Sequence, residues 1–176
     1  MDEIEIVEPD PHWPEMFRVE AARLRGALDP ALVIDIEHFG STAIAGLAAK
    51  PIIDILITVR SIVAAQSAIT PLLALGYVFW EDNPRNDRMF FVKGMPPHGE
   101  RRTHHVHIME PGDERQGQLL FRDYLRAHPD EARRYAVLKR ELAQSHRYDR
   151  EAYTNAKNDY VASITAKPRR AGTTRG

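Results

Sequence analysis

The segment that most limits how this chain can fold runs from Leu32 to Val59. Leu32 to Ile36 is rich in β-branched and aliphatic residues, as a strand would be, and Ile52 to Val59 is apolar enough for a buried strand. Between them stand Gly40-Ser41, a short stretch from Thr42 to Leu47, and Lys50-Pro51. A strand therefore enters, turns at a Gly-Ser pair, and leaves as a second strand carrying one acid, Asp54. Gly40 lets the backbone approach a ligand closely, Ser41 adds a hydroxyl, and the peptide N–H groups opening the Thr42–Leu47 stretch can hold an anion. Such a turn suits phosphate. It is not a P-loop: that loop needs four residues between its glycines and Lys-Ser or Lys-Thr after the second, whereas five separate Gly40 from Gly46 and Lys50 is followed by Pro51.

Gly40-Ser41, twelve residues and then an acid on an apolar strand resembles the signature of the nucleotidyltransferase fold. The fuller string from Gly40 to Ile55, Gly-Ser-Thr-Ala-Ile-Ala-Gly-Leu-Ala-Ala-Lys-Pro-Ile-Ile-Asp-Ile, resembles more specifically the GrpB family, a UPF0157-type bacterial group with that fold. Asp10-Pro11-His12-Trp13-Pro14 is similar to the family's N-terminal signature, and the likeness runs from about residue 5 to 165. One departure matters. A metal-dependent nucleotidyltransferase would carry a second acid two residues after the first, and here that position is Leu56. Two nearby cations need several carboxylate oxygens, so the two-metal chemistry usual for the fold is in question.

The chain has 176 residues, 43% of them hydrophobic, which suits one domain with a sizeable core. With 24 basic and 25 acidic side chains the net charge is -1, so no global field recruits nucleic acid or an anionic membrane. A polyanion site must be local. The chain has no cysteine, which excludes disulfides and thiolate metal sites. It also lacks an apolar run near membrane-spanning length and a basic-then-apolar N-terminus, so it reads as cytoplasmic.

Ile4 and Ile6 alternate with acids as a short edge strand would, until Pro9, Pro11 and Pro14 forbid its continuation. Pro14 suits a first helical turn, Phe17, Ala21, Leu24 and Leu28 recur at helical spacing, and Trp13 reads as a hydrophobic staple. Ser61 can cap a helix through Ile69, Thr70-Pro71 reads as a new start or a kink, and Gly76 ends the segment. Tyr77 to Trp80 and Arg88 to Lys93 read as a hairpin around a polar loop with Asp82, Asn83, Pro84, Asn86 and Asp87.

From Thr103 to Glu110 the pattern is a strand with Val106 and Ile108 on one face and His105 and His107 on the other. Two imidazoles at i and i+2 suit one metal ion or two contacts to one phosphate; they also occur on ordinary solvated strand faces. The same alternation puts Asp54 on the face of its strand shared with Leu56 and Thr58. If the two strands share a sheet, one polar face gathers Asp54, His105 and His107. Arg101 and Arg102 precede this strand, and a guanidinium there either binds an oxyanion bidentately or forms an exposed basic turn. The Arg-Thr-His-His-Val-His strand is part of the GrpB-like pattern, and Arg102 is the better placed of the pair.

Asp113 onward reads as three helices. Leu120, Phe121, Tyr124, Leu125 and Ala127 line the first, which ends at His128-Pro129; Ala132, Tyr135, Ala136 and Leu142 line the second; Asp149 caps a third through Ala166. Tyr153, Ala156, Tyr160, Val161 and Ile164 form the stripe of the last helix, with Lys157 inside it. That lysine either snorkels to water or reaches a phosphate in a cleft, and the GrpB-like pattern also has a Tyr and a Lys here. Lys167, Arg169, Arg170 and Arg175 sit among Pro, Gly and Thr in a basic tail expected to be disordered.

The fold expected is α+β: a nucleotidyltransferase-like, mixed and mainly antiparallel sheet with helices packed on it and a helical C-terminal cover, one domain over residues 1–166 with a tail at 167–176. The resemblance implies a nucleoside triphosphate ligand with magnesium or manganese. Gly40, Ser41, Lys50, Arg102 and Lys157 would bind phosphate, Asp54, His105 and His107 the metal, and Asp54 and Ser41 would carry catalysis of nucleotidyl transfer. The alternative is a non-catalytic module binding a nucleotide or phosphorylated metabolite, linked to coenzyme A biosynthesis through family members joined to dephospho-coenzyme A kinase. Leu56 favours the second reading and the His pair the first.

Overall fold

A computed structural model describes residues 4–83 and 87–166. It contains a five-stranded sheet, β1 (Val33–Phe39), β2 (Ile53–Val59), β3 (Tyr77–Phe79), β4 (Arg88–Lys93) and β5 (His104–Met109), in the order β1-β2-β5-β4-β3. β2 and β5 run parallel at the centre; the other pairs are antiparallel. The helices are α1 (Trp13–Ala27), α2 (Ile69–Ala74), α3 (Asp113–Ala127), α4 (Pro129–Ser145) and α5 (Arg150–Thr165). The mixed, mainly antiparallel sheet is thus as expected. Among the described residues no helix is long and apolar enough to cross a membrane.

Strand alternation divides the sheet into two unlike faces. Ile53, Ile55, Ile57 and Val59 of β2 and Val106 and Ile108 of β5 pack with Trp13, Ala21, Leu24 and Leu28 around α1 and with Leu72 of α2 in the main core. Trp13 contributes from inside the first turn of its helix, buried, in keeping with a packing role. On the opposite face Phe39, Leu56 and Met109 form a smaller apolar patch, joined by Leu119 of α3, and Phe90 and Val92 of β4 are buried beside it. Asp54, His105, His107, Thr58 and Glu37 share that face, and the C-terminal helices stand over it. Their own core takes in Ile44, Leu47 and Ala48 with Phe121, Leu125, Tyr135 and Ile164, so the loop between β1 and β2 ties the helical cover to the sheet.

Three expectations change in detail. The N-terminus adds no edge strand: Val7 makes an isolated antiparallel bridge to Ala49, the Ile4 N–H donates to the Arg147 carbonyl at 2.9 Å, and Ile4 packs with Ala143 and Tyr153. Its apolar side chains find partners among the helices and the loop rather than on a free sheet edge. Ser61 does not cap a continuous helix; a 3₁₀ segment over Ala64–Ala68 runs into α2, which begins at Ile69. Pro71 falls in the first turn of α2, where no N–H donor is needed, so it marks a new start. Phe79 and Trp80 sit at the hairpin end of β3, but Pro84 and Asn86 lie outside the described residues, as does the basic tail at 167–176.

Candidate functional site

The parallel register of β2 and β5 pairs Asp54 with His105 and Leu56 with His107. Side chains at these positions point to the same face, about 4.8 Å between neighbouring strands. Asp54 Oδ1 lies 3.1 Å from His105 Nδ1, and one ligand atom each from Asp54, His105 and His107 fall within 4.8 Å of one another. Two phenylalanines hold the imidazoles. Phe90 of β4 sits 5.1 Å from the His105 ring and 4.7 Å from that of His107, and Phe39 of β1 meets His107 edge-on at 5.2 Å.

Burial works to raise the Asp54 carboxyl, but the hydrogen bond from His105 and the charges of His105, His107 and Lys50 outweigh it and hold Asp54 below the usual carboxylate range. Burial, with repulsion from Lys50 and Arg102, pushes the His105 imidazole down against the hydrogen bond and charge of Asp54; its Nε2 is buried with no hydrogen-bond partner among the described residues. An ionised carboxylate beside two imidazoles is a donor set that fits a divalent cation.

Gly40 adopts φ 69°, in the left-handed region, and a Cβ there would stand 2.5 Å from Asp54 Oδ2. The close approach that this glycine permits is therefore to the Asp54 carboxylate. Ser41 opens a 3₁₀ turn over Ser41–Ala43 and lies near the buried Tyr135 hydroxyl, whose ionisation it eases while burial opposes it. Behind the turn, Thr42 Oγ1 donates to the Ile52 carbonyl at 3.1 Å and sits 2.9 Å from His38 Nε2. With the hydroxyl proton committed to Ile52, His38 Nε2–H donates to Thr42. This chain of two bonds fixes the turn to the start of β2.

Helices α4 and α5 bring lysines to the other wall of the cleft. Lys157 Nζ lies 4.5 Å from the centre of the Tyr153 ring and Lys50 Nζ 5.3 Å from the same ring. Lys139 Nζ lies 4.8 Å from the Tyr135 ring and donates to the Ala48 carbonyl at 2.5 Å. Burial and the charges of Lys157, Arg150 and Arg102 push Lys50 down to about 7; burial and the charges of Lys157, Lys50 and Arg140 push Lys139 down to about 7 as well. Lys157 is lowered too, by burial. Asp54 is the acid that offsets the charge on all three. Tyr153, whose ring carries two of these amines, has a buried hydroxyl with no hydrogen-bond partner among the described residues.

Of the residues singled out in the sequence, Asp54, His105, His107, Lys50 and Lys157 share this cleft, with Gly40 and Ser41 at its edge. Arg102 stands two residues before β5, and its charge acts on Lys50 and His105; Arg101 instead lies 3.6 Å from Glu5 on the exposed rim. Sequence reasoning missed Lys139. The signal was present: Ala132, Tyr135, Ala136, Lys139 and Ala143 are the buried residues of α4, so Lys139 interrupts an apolar stripe as Lys157 does.

The profile described as GrpB protein matches residues 3–167. A UPF0157 protein of Pseudomonas aeruginosa is 53% identical over 167 residues, covering 94% of this chain and 68% of that protein. The crystal structure of the conserved protein GrpB from Enterococcus faecalis superposes with a TM-score of 0.80 at 34% identity, covering 92% of this chain and 94% of that one. A protein named dephospho-CoA kinase from Mycolicibacterium paratuberculosis is 35% identical over 179 residues, covering 89% of this chain but only 44% of its own length. With the profile spanning nearly the whole sequence and a solved relative sharing its fold end to end, the chain belongs to the GrpB family.

Proposed function

We propose that this protein binds a nucleoside triphosphate together with a divalent cation in the cleft between the β2–β5 pair and α5. The observation that carries this reading is a charge imbalance with a direction: three side chains able to ligate a cation on the sheet face the amines of Lys50, in the β1–β2 connection, and of Lys139 and Lys157, on the helices, and one carboxylate serves them all. A polyphosphate chelating the cation supplies the missing negative charge, with Lys50, Lys157 and Arg102 on its oxygens and the Gly40-Ser41 turn beside it. The cation adds charge neutralisation at the phosphates. Asp54 would hold it as a carboxylate, with the Ser41 hydroxyl and Tyr135 nearby. On this reading the resemblance to nucleotidyltransferases extends to nucleotidyl transfer, with Asp54 and Ser41 as the catalytic residues: an acceptor hydroxyl would attack the α-phosphorus and give up its proton to solvent, while the bond to the β-phosphate bridging oxygen breaks and pyrophosphate leaves.

One observation favours a second reading. Leu56, where a second acid would stand, is fully buried with Phe39 and Met109, so this strand offers a single carboxylate. A module that binds a nucleotide or phosphorylated metabolite without transferring it fits that position, and the relative named dephospho-CoA kinase points such a module toward coenzyme A metabolism.

Calorimetric titration with each of the four ribonucleoside triphosphates, with and without manganese, tests the binding. Affinity that depends on the cation and disappears in Asp54→Asn is the expected result; no affinity for any triphosphate under either condition rejects it. Transfer of an α-phosphate radiolabel to a cell-extract acceptor then separates the enzyme from the binder.

A further inference from the structure

The polar face of the sheet offers a cation few oxygens. Asp54 supplies a carboxylate. Leu56, two residues on, supplies nothing, and the register sets His107 beside it, so a nitrogen stands where a second oxygen would. Further along the same face Thr58 Oγ1 accepts a hydrogen bond from Arg115 Nε at 2.6 Å. Glu37, the acid that β1 pairs with Leu56, is held by Arg115 Nη2 at 2.8 Å and by Arg122 Nη1 at 3.4 Å. Each of these oxygens is engaged by a guanidinium from α3. What remains is one carboxylate and two imidazoles walled by Phe39 and Phe90.

Magnesium takes hard oxygen ligands in a near-ideal octahedron and gives up its waters reluctantly, whereas imidazole suits the later first-row ions. One ligand atom each from Asp54, His105 and His107 lie within 4.8 Å of one another, and with His105 Nδ1 bonded to Asp54 its buried Nε2 has no hydrogen-bond partner among the described residues. We infer that Asp54, His105 and His107 form a one-carboxylate, two-imidazole site that selects a transition ion, of the manganese, iron, cobalt or zinc class, over magnesium. The inference rests on the cation-binding reading above and concerns the class of the ion. Of the two ions that the family resemblance implies, it retains manganese and discards magnesium. Three ligands leave positions open for phosphate oxygens, so ion and polyphosphate bind in mutual support.

The test uses the full chain stripped of metal by a chelator. Cobalt(II) is titrated while its visible d–d absorption is followed, and zinc, manganese and magnesium are compared by competition. The expected result is a cobalt spectrum with nitrogen ligation and a preference for cobalt and zinc over magnesium of roughly 100-fold or more. His107→Gln should lower cobalt affinity at least tenfold, and His107→Asp, which restores a second carboxylate, should narrow the gap to magnesium. Magnesium binding as tightly as cobalt in the wild-type protein would overturn the inference while leaving the cation-binding reading in place; binding of none of the four ions, with or without a triphosphate, removes both. Circular dichroism of each variant checks its fold, and should both variants misfold, the wild-type competition alone decides.

Discussion

Gly40 and Asp54 are in direct contact: the space that a side chain on residue 40 would need is occupied by the Asp54 carboxylate, with Oδ2 2.5 Å from the position of a Cβ. The backbone at residue 40 is also left-handed, at φ 69°, where an L side chain is strained. Gly40→Ala therefore displaces the carboxylate and strains the turn at once. We expect a stability loss of about 1–3 kcal/mol by chemical denaturation and a loss of divalent-ion affinity. A variant of unchanged stability and unchanged ion affinity would show that the turn accommodates the methyl group. Read from the sequence as a residue for close approach to a ligand, Gly40 makes that approach to Asp54, and the contact makes its replacement costly to the fold.

Ser41→Ala removes a hydroxyl near Tyr135 but leaves the turn backbone and its His38–Thr42–Ile52 anchor intact. Stability should change by less than about 1 kcal/mol. Triphosphate affinity should fall several-fold. Tyr135→Phe, which removes the neighbouring hydroxyl and keeps that of Ser41, should lower affinity less. Equal affinity in wild type and both variants, measured by calorimetry, would place Ser41 outside the site.

Lys157 stands close to Lys50 and Lys139 and has Asp54 as its offsetting acid. Lys157→Met removes a desolvated amine and relieves repulsion on both other lysines, while the methionine can keep its contact with the Tyr153 ring. The melting temperature should hold or rise, and triphosphate affinity should fall at least tenfold. A lower melting temperature with unchanged affinity means that the amine serves the fold.

His38 is buried, stacked on Phe17 at 4.8 Å, and held down to about 4 by burial and by the charges of Arg126 and Arg122, with Asp54 opposing. Its folded-state value lies below that of the unfolded chain, so the unfolded chain takes up the proton first. The stability present above pH 6.5 is then lost as pH falls toward 4, by about 3 kcal/mol from this residue. His38→Gln keeps a donor for Thr42 and should flatten that part of the curve. Denaturant midpoints across the range, compared between the two proteins, isolate His38 from the other histidines; parallel curves would assign the acid sensitivity elsewhere.

How much of this was legible in the sequence depends on the distance over which each feature is determined. Alternation along β2 and β5 is local, and it correctly put Asp54 on one face of its strand and His105 with His107 on one face of theirs. The cap of α5 is equally local: Asp149 accepts from the Ala152 N–H at 2.9 Å. That β2 and β5 are parallel neighbours depends on a crossover through α2, β3 and β4, and no short pattern encodes it. Ile4 and Ile6 alternated like a strand, yet packing against α4 and α5 decided their place. Lys139 could have been found by the rule that found Lys157, since both interrupt an apolar helical stripe. Its bond to the Ala48 carbonyl, across 91 residues of chain, could not.

The parallel pairing of β2 with β5 makes the site a property of the folded chain. Asp54 and His105 are 51 positions apart along the chain and meet only when the central strands are in register. An unfolded chain holds no trace of that geometry, so a ligand of this cleft acts on the folded population alone. At a hundred times its dissociation constant it would add about 2.7 kcal/mol to global stability. Thermal protection by an ion or a nucleotide therefore serves as a search tool, and protection that disappears in Asp54→Asn marks a compound bound at the assembled sheet.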